Sequence, residues 1–88
     1  MTLPGGEFVH NGLEDLKAGR ETIPALLVAI GAPRLRQLGV RVPEHSFGSP
    51  EHRLYERLAA EDSDSAHSRY NALLRRLVSF ENSYKCVS

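Results

Sequence analysis

The sequence has a single cysteine, only two lysines and no long hydrophobic run. Cys86 alone cannot form an intramolecular disulfide, which argues against a secreted, disulfide-stapled scaffold. No apolar run approaches the ~18 residues that are needed to span a membrane. Residues 1–11 have neither the basic start nor the apolar stretch of a signal peptide. Together these absences predict a cytoplasmic protein that does not act at a membrane.

Net charge is also lacking, because 11 acidic residues balance 11 basic ones. Dedicated nucleic-acid binders usually carry a basic excess, so the balance argues against that class but leaves local patches open. Nine of the basic residues are arginine. Arginine offers a planar donor group that suits carboxylates, phosphates and protein interfaces. The simpler explanation of the excess of arginine over lysine is a GC-rich genome, which encodes arginine and alanine often.

With 88 residues the chain has room for one domain. A chain of this length buries only about 60% of its unfolded surface, which leaves little room for a deep enzyme cleft. The predicted organisation is a flexible lead segment over residues 1–11, a single helical domain over 12–84 and a frayed C-terminus over 85–88.

Caps and glycines delimit the first predicted helices. The first covers Leu13–Ala18, with Asn11 as its N-cap and Gly19 just beyond its last turn. Thr22 caps the second, Ile23–Ile30. That segment contains no charged residue, and a helix that is apolar all round is a buried one.

Gly31 is expected to end the second helix, and a short helix should follow over Arg34–Leu38. Two further helices are predicted, from Pro50 to about Ala60 and from Ser65 to about Asn82 or slightly beyond. No stretch alternates with period two for long enough to indicate a strand. The prediction is an all-α fold: a compact single-domain bundle of four or five helices with a long C-terminal helix. Its predicted core consists of Leu26, Leu27, Ile30, Leu54, Leu58, Leu73 and Leu77.

The last helix carries an apolar seam with steps of four and three residues. Its members are Ala66, Tyr70, Leu73, Leu77, Phe80 and Tyr84. Packing of the seam on the protein's own core is the simpler interpretation. The alternative is that Phe80 and Tyr84 stay partly uncovered, because the helix is long relative to its neighbours, and form a dimer or partner interface.

Six arginines form two clusters along the chain. They are Arg34, Arg36 and Arg41 in one, and Arg69, Arg75 and Arg76 in the other. One interpretation is internal pairing, with Arg69 or Arg76 bonded to Glu56 or Glu61 of the preceding helix. The other is convergence of the clusters into one patch for an acidic partner or a phosphate backbone.

A helix-turn-helix over Ile23–Val40 matches only weakly. Its second helix has about five or six residues before Gly39, which is too short to lie usefully in a major groove.

The sequence contains no recognisable catalytic or metal-binding motif. The histidines His10, His45, His52 and His67 show no metal-ligand spacing. His52 and Glu56, four residues apart, should form a surface pair. The sequence therefore predicts no enzyme, no cofactor and no metal.

The predicted function is a small non-catalytic protein–protein interaction module. An adaptor, an inhibitor or an accessory regulator from a bacterium, a phage or another mobile element would fit. The alternative is a nucleic-acid-binding regulator that uses an arginine patch. The expected partner is a protein, or a second copy bound through the C-terminal helix. The residues predicted to bind it are Arg34, Arg36, Arg41, Arg69, Arg75, Arg76, Phe80 and Tyr84.

Overall fold

The computed structural model describes residues 5–44 and 48–87, without the side chains of residues 86 and 87. Four helices occupy these ranges, and no strand does. They are α1 (Gly6–Lys17), α2 (Ile23–Gln37), α3 (Pro50–Glu61) and α4 (Ala66–Val87). This confirms the predicted all-α bundle with a long C-terminal helix. The first four residues of the lead segment, His45 and any role of the Cys86 side chain lie outside this description.

The first helix starts earlier than the sequence predicts. A start at Leu13 with an Asn11 cap is wrong, because α1 begins at Gly6 and the Val9 amide already donates to the Gly5 carbonyl at 3.0 Å. The physical reason is burial. Val9 is only 2% exposed and belongs to the core, on the same side of α1 as Leu16. A helical turn before Leu13 is what brings Val9 onto that side.

The second helix is longer than predicted. It does not end at Gly31, and Arg34–Leu38 is not a separate helix, because α2 runs unbroken to Gln37 with Pro33 inside it. Proline removes one helical hydrogen bond, but packing offsets that loss. Leu35 is fully buried in the last turn of α2. At Gly31, an added Cβ would lie 2.8 Å from Leu77 Cδ2, so α4 approaches α2 where no side chain intervenes.

Two glycines that the sequence predicts to follow helices do follow α1 and α2, although the second is expected to close the separate short helix Arg34–Leu38. Gly19 and Gly39 lie just beyond them with φ of 76° and 94°, in the left-handed region that favours glycine. The start of α2 is confirmed as well, because the Thr22 hydroxyl accepts the Ala25 amide at 3.2 Å. These signals are local, and the structure uses each of them.

The bundle consists of two consecutive helical hairpins. Residues 18–22 join α1 to α2, and residues 62–65 join α3 to α4. The central helix is α2, which packs against the other three, whereas α1 packs against α2 and α4. All four helices contribute to one hydrophobic cluster.

The predicted core is correct in its centre and wrong at its edge. Five of the seven predicted core residues are buried, namely Leu26, Leu27, Leu54, Leu58 and Leu77. Ile30 and Leu73 are only partly buried and pack against the outside of the cluster. Leu73 thus keeps part of its side chain available at the surface.

Candidate functional site

An apolar groove opens where α1, the start of α2 and the middle of α4 meet. Its volume is about 470 Å³. Its lining is mostly apolar and includes two arginines. The lining residues are Phe8, Ile23, Pro24, Arg69, Ala72, Leu73 and Arg76. We refer to this set as the α1–α2–α4 groove.

One face of α4 supplies both arginines of the groove. Arg69, Ala72, Leu73 and Arg76 follow the helical spacing of three and four residues, so their side chains share that face. Seven residues of helix separate the arginines, which amounts to about 10.5 Å along the axis. The groove therefore carries two positive charges with apolar surface between them.

The corner between α1 and α2 is fixed by the carboxylate of Asp15. The Thr22 hydroxyl donates to Asp15 Oδ2 at 2.6 Å, and Arg20 Nη2 donates to Oδ1 at 2.8 Å. The hydrogen bond from Thr22, and then that from Arg20, hold the pKa of Asp15 below its ordinary value. This corner sets the first turn of α2, with Ile23 and Pro24, beside Phe8 of α1.

The two groove arginines differ in their partners. Arg69 Nη1 lies 2.7 Å from Glu61 Oε1, which confirms one of the predicted internal pairs. Both side chains are about half exposed, and surface ion pairs of this kind contribute little to stability. Arg76 is exposed, and it makes no ion pair within residues 5–44 and 48–87. Its guanidinium can thus be approached by an external anion.

The third arginine of that cluster lies elsewhere on α4. Arg75 lines a separate depression of about 440 Å³ with Leu74 and Val78. Its neighbour Arg76 lines the α1–α2–α4 groove. Arg75 therefore offers a matched control for any charge effect at Arg76.

The arginines at the end of α2 have local roles. Arg36 Nη2 donates to the Val42 carbonyl at 3.2 Å and so fastens the chain that leaves α2. Arg34 lies close enough to Glu81 of α4 to influence its charge. Arg41 is exposed in the segment after α2. None of the three lines the groove.

The aromatic end of the α4 seam is covered by the protein itself. Phe80 is 8% exposed and Tyr84 is partly buried, with their ring centroids 5.8 Å apart. The prediction that Phe80 stays uncovered is wrong, because the start of α1 lies over it. An added Cβ on Gly5 would be 2.9 Å from the Arg76 carbonyl oxygen and 3.7 Å from Phe80 Cβ. Partner binding through these rings stays a prediction.

A second charged cluster, between α3 and the start of α2, is paired internally. Glu21 accepts from Arg53 at 2.6 Å and lies 3.6 Å from Arg57. The Arg53 hydrogen bond is the main reason that the pKa of Glu21 falls below its ordinary value. His52 lies 2.7 Å from Glu56, which confirms that surface pair. These contacts pair Glu21 and Glu56 with basic side chains of α3.

Glu81 is the one charged side chain among the described residues that the fold buries. Burial raises the pKa of this carboxyl, and the positive charge of Arg34 opposes the rise. At low pH, Glu81 is protonated in both the folded and the unfolded chain. As pH rises through the raised native pKa, the folded chain must hold a buried charge, so its free energy of unfolding falls.

We therefore expect Glu81→Gln to gain stability relative to the wild type as pH rises from acid to neutral. Thermal melting of both proteins from pH 4 to 7 measures the effect. Arg34→Gln should enlarge the wild-type loss at neutral pH, because it removes the charge that opposes the pKa rise. A melting difference between Glu81→Gln and wild type that is constant across this range would contradict the prediction.

The described residues contain no group of three or more histidine, cysteine, aspartate or glutamate side chains that could hold a metal ion. Among the same residues, no helix has the length and apolar character that crossing a membrane requires. No family model matches the chain, and neither a curated protein nor a solved structure matches it significantly. Function is therefore inferred from the groove itself.

Five lining residues of the groove are absent from the residues that the sequence predicts to bind a partner: Phe8, Ile23, Pro24, Ala72 and Leu73. The sequence places Phe8 in the flexible lead segment and Ile23 in a helix that is buried on all sides. The available signal was the pair Phe8–Val9, two apolar residues that a flexible segment does not need.

Proposed function

We propose that this chain is a small non-catalytic protein–protein interaction module, an adaptor, inhibitor or accessory regulator that holds its partner in the α1–α2–α4 groove. The observation that carries the proposal is a mostly apolar lining that includes two arginines. Hydrophobic grooves commonly bind the apolar face of a partner's helix. Arginine is enriched at protein interfaces, where its guanidinium binds carboxylates.

The chemistry of the groove favours a protein partner over a phosphate backbone. Ile23, Pro24 and Leu73 offer apolar surface, which a side chain can cover and a phosphate cannot. Phosphate-backbone binding draws its affinity from many neutralised charges. Here two arginines line the groove, one of them is paired with Glu61, and the chain has no net charge.

Selection from a random peptide display library tests the proposal. We expect the wild type to enrich a common peptide pattern, and Ala72→Glu, which places a charge in the groove, to lose it. Ala72 is exposed, so the substitution leaves the core intact. Arg75→Glu is the control and should enrich the same peptides as the wild type. Failure of the wild type to enrich any pattern, or an unchanged selection with Ala72→Glu, would contradict the proposal.

The alternative, a nucleic-acid-binding regulator, predicts binding to nucleic acid that persists at physiological salt. The protein-interaction proposal predicts instead that binding to mixed-sequence duplex DNA and RNA is weak at low ionic strength and is lost at physiological ionic strength. Binding assays at both salt concentrations measure this. Submicromolar binding that persists at physiological salt and disappears in the double variant Arg75→Glu/Arg76→Glu would overturn the protein-interaction proposal.

A further inference from the structure

Resting on the proposed function, we infer that the partner segment of the α1–α2–α4 groove is an acidic amphipathic helix. It carries two acidic residues seven positions apart, with apolar residues at the third and fourth positions after the first acid. The charge pattern of the groove is the basis for this inference. Arg69 and Arg76 both line it, and Ala72 and Leu73 lie between them along α4.

The spacing follows from helix geometry. A partner helix that lies along α4 has the same rise per residue, so its positions i and i+7 are also about 10.5 Å apart. Two acids at those positions reach both arginines from one face of the helix. Positions i+3 and i+4 lie on the same face between the acids, and they meet Ala72 and Leu73 of the groove. Because Ala72 is small, it leaves room for a large apolar side chain.

The two arginines receive the acids in different ways. Arg76 is exposed and has no ion pair among the residues that the structure describes, so it can bind a carboxylate without giving up another. Arg69 already holds Glu61 at 2.7 Å. A partner carboxylate at Arg69 must replace Glu61 or share the guanidinium with it. Glu61 therefore acts as an internal competitor for the partner, and Glu61→Gln should tighten binding.

Three synthetic helical peptides of equal length test the inference. The Glu peptide has glutamate at i and i+7 with leucine at i+3 and i+4. The Lys peptide replaces both glutamates by lysine. The spacing peptide moves the second glutamate to i+5, which points away from the first. Fluorescence anisotropy measures the affinity of each peptide for the full chain at physiological salt.

We expect the wild type to bind the Glu peptide more tightly than the other two. Arg76→Glu should weaken that binding about tenfold, as the loss of one charge-assisted contact predicts. It should also remove the preference for the Glu peptide, because the Lys peptide then gains one opposite charge and Arg76→Glu binds it better than the wild type does. Arg75→Glu, next to Arg76 but outside the groove, should bind the Glu peptide as the wild type does. Glu61→Gln should bind it more tightly.

Several outcomes would overturn the inference. They are equal binding of the Glu and Lys peptides by the wild type, an equal loss in Arg75→Glu and Arg76→Glu, and sedimentation of a wild-type dimer that Arg76→Glu dissociates. The dimer would identify a second copy as the occupant. The library selection separates this inference from the proposed function. If the wild type enriches a non-acidic pattern that Ala72→Glu abolishes, the groove binds a protein segment but not an acidic helix.

Discussion

Gly12→Ala is expected to lower the free energy of unfolding by about 2–3 kcal/mol, the upper range for overpacking in a core. At Gly12, α1 lies directly against the backbone of α2. A Cβ at this position would lie 2.3 Å from the Pro24 carbonyl oxygen and 2.4 Å from Val28 Cγ2. The first of these is a backbone atom, so the clash is relieved only if the two helices move apart. The gain of about 1 kcal/mol in helix propensity offsets only part of this cost.

Urea unfolding followed by circular dichroism measures the Gly12 effect. The control is Asn11→Ala, because Asn11 is the exposed neighbour of Gly12 in the same helix. It should leave stability unchanged or raise it slightly through helix propensity. If both variants unfold at the same urea concentration, α1 and α2 are not in close contact at Gly12.

Leu27→Ala should cost about 2–5 kcal/mol, the range for truncation of a buried leucine. The side chain of Leu27 is fully buried in α2, which packs against all three other helices, as α4 also does. A cavity at this position therefore cannot be closed by the movement of one peripheral helix. A chain of this length has a total stability of about 4–13 kcal/mol. The substitution thus removes a large share of it.

Variants at two other positions serve as comparisons for the stability loss of Leu27→Ala. Val78 is 51% exposed, and Val78→Ala should change stability by less than about 0.5 kcal/mol. Leu73→Ala should fall between the two, because Leu73 is only partly buried. Urea midpoints of the three variants give the order. Equal midpoints for Leu27→Ala and Val78→Ala would show that the core is misplaced.

The sequence predicts the features of this fold that depend on neighbouring residues. Gly19 and Gly39 end helices because the backbone there adopts a conformation that other residues avoid, and this requirement is local. Thr22 caps α2 for an equally local reason, since its hydroxyl accepts the Ala25 amide. The four-residue helical spacing of apolar positions also places Leu54 and Leu58 correctly in the core.

Features that depend on distant residues escape this kind of prediction. Gly31 and Pro33 have the local character of a helix end, yet α2 continues through them because Leu77 packs against Gly31 and Leu35 is buried. The start of α1 cannot be predicted from neighbouring residues for the same reason. Only the folded chain shows that Val9 is needed in the core.

The candidate site also has one part that the sequence predicts and one part that only the fold shows. The pair between Arg69 and Glu61 is predictable, because a short turn joins α3 to α4 and brings the two residues together. The groove is not, because Phe8 comes from α1 and Ile23 from α2. The pattern of any single helix shows neither that these two residues meet nor that they meet α4.

The assembly of the groove from three helices couples occupancy to folding. Since the site does not exist in the unfolded chain, a bound partner stabilises the native state by mass action. A partner at about 100 times its dissociation constant adds about 2.7 kcal/mol. For so small a domain this is a substantial fraction of the total free energy of unfolding. In cells, a difference of this size changes protein abundance severalfold. The supply of partner would then set how much of this protein escapes proteolysis, without any change in its synthesis.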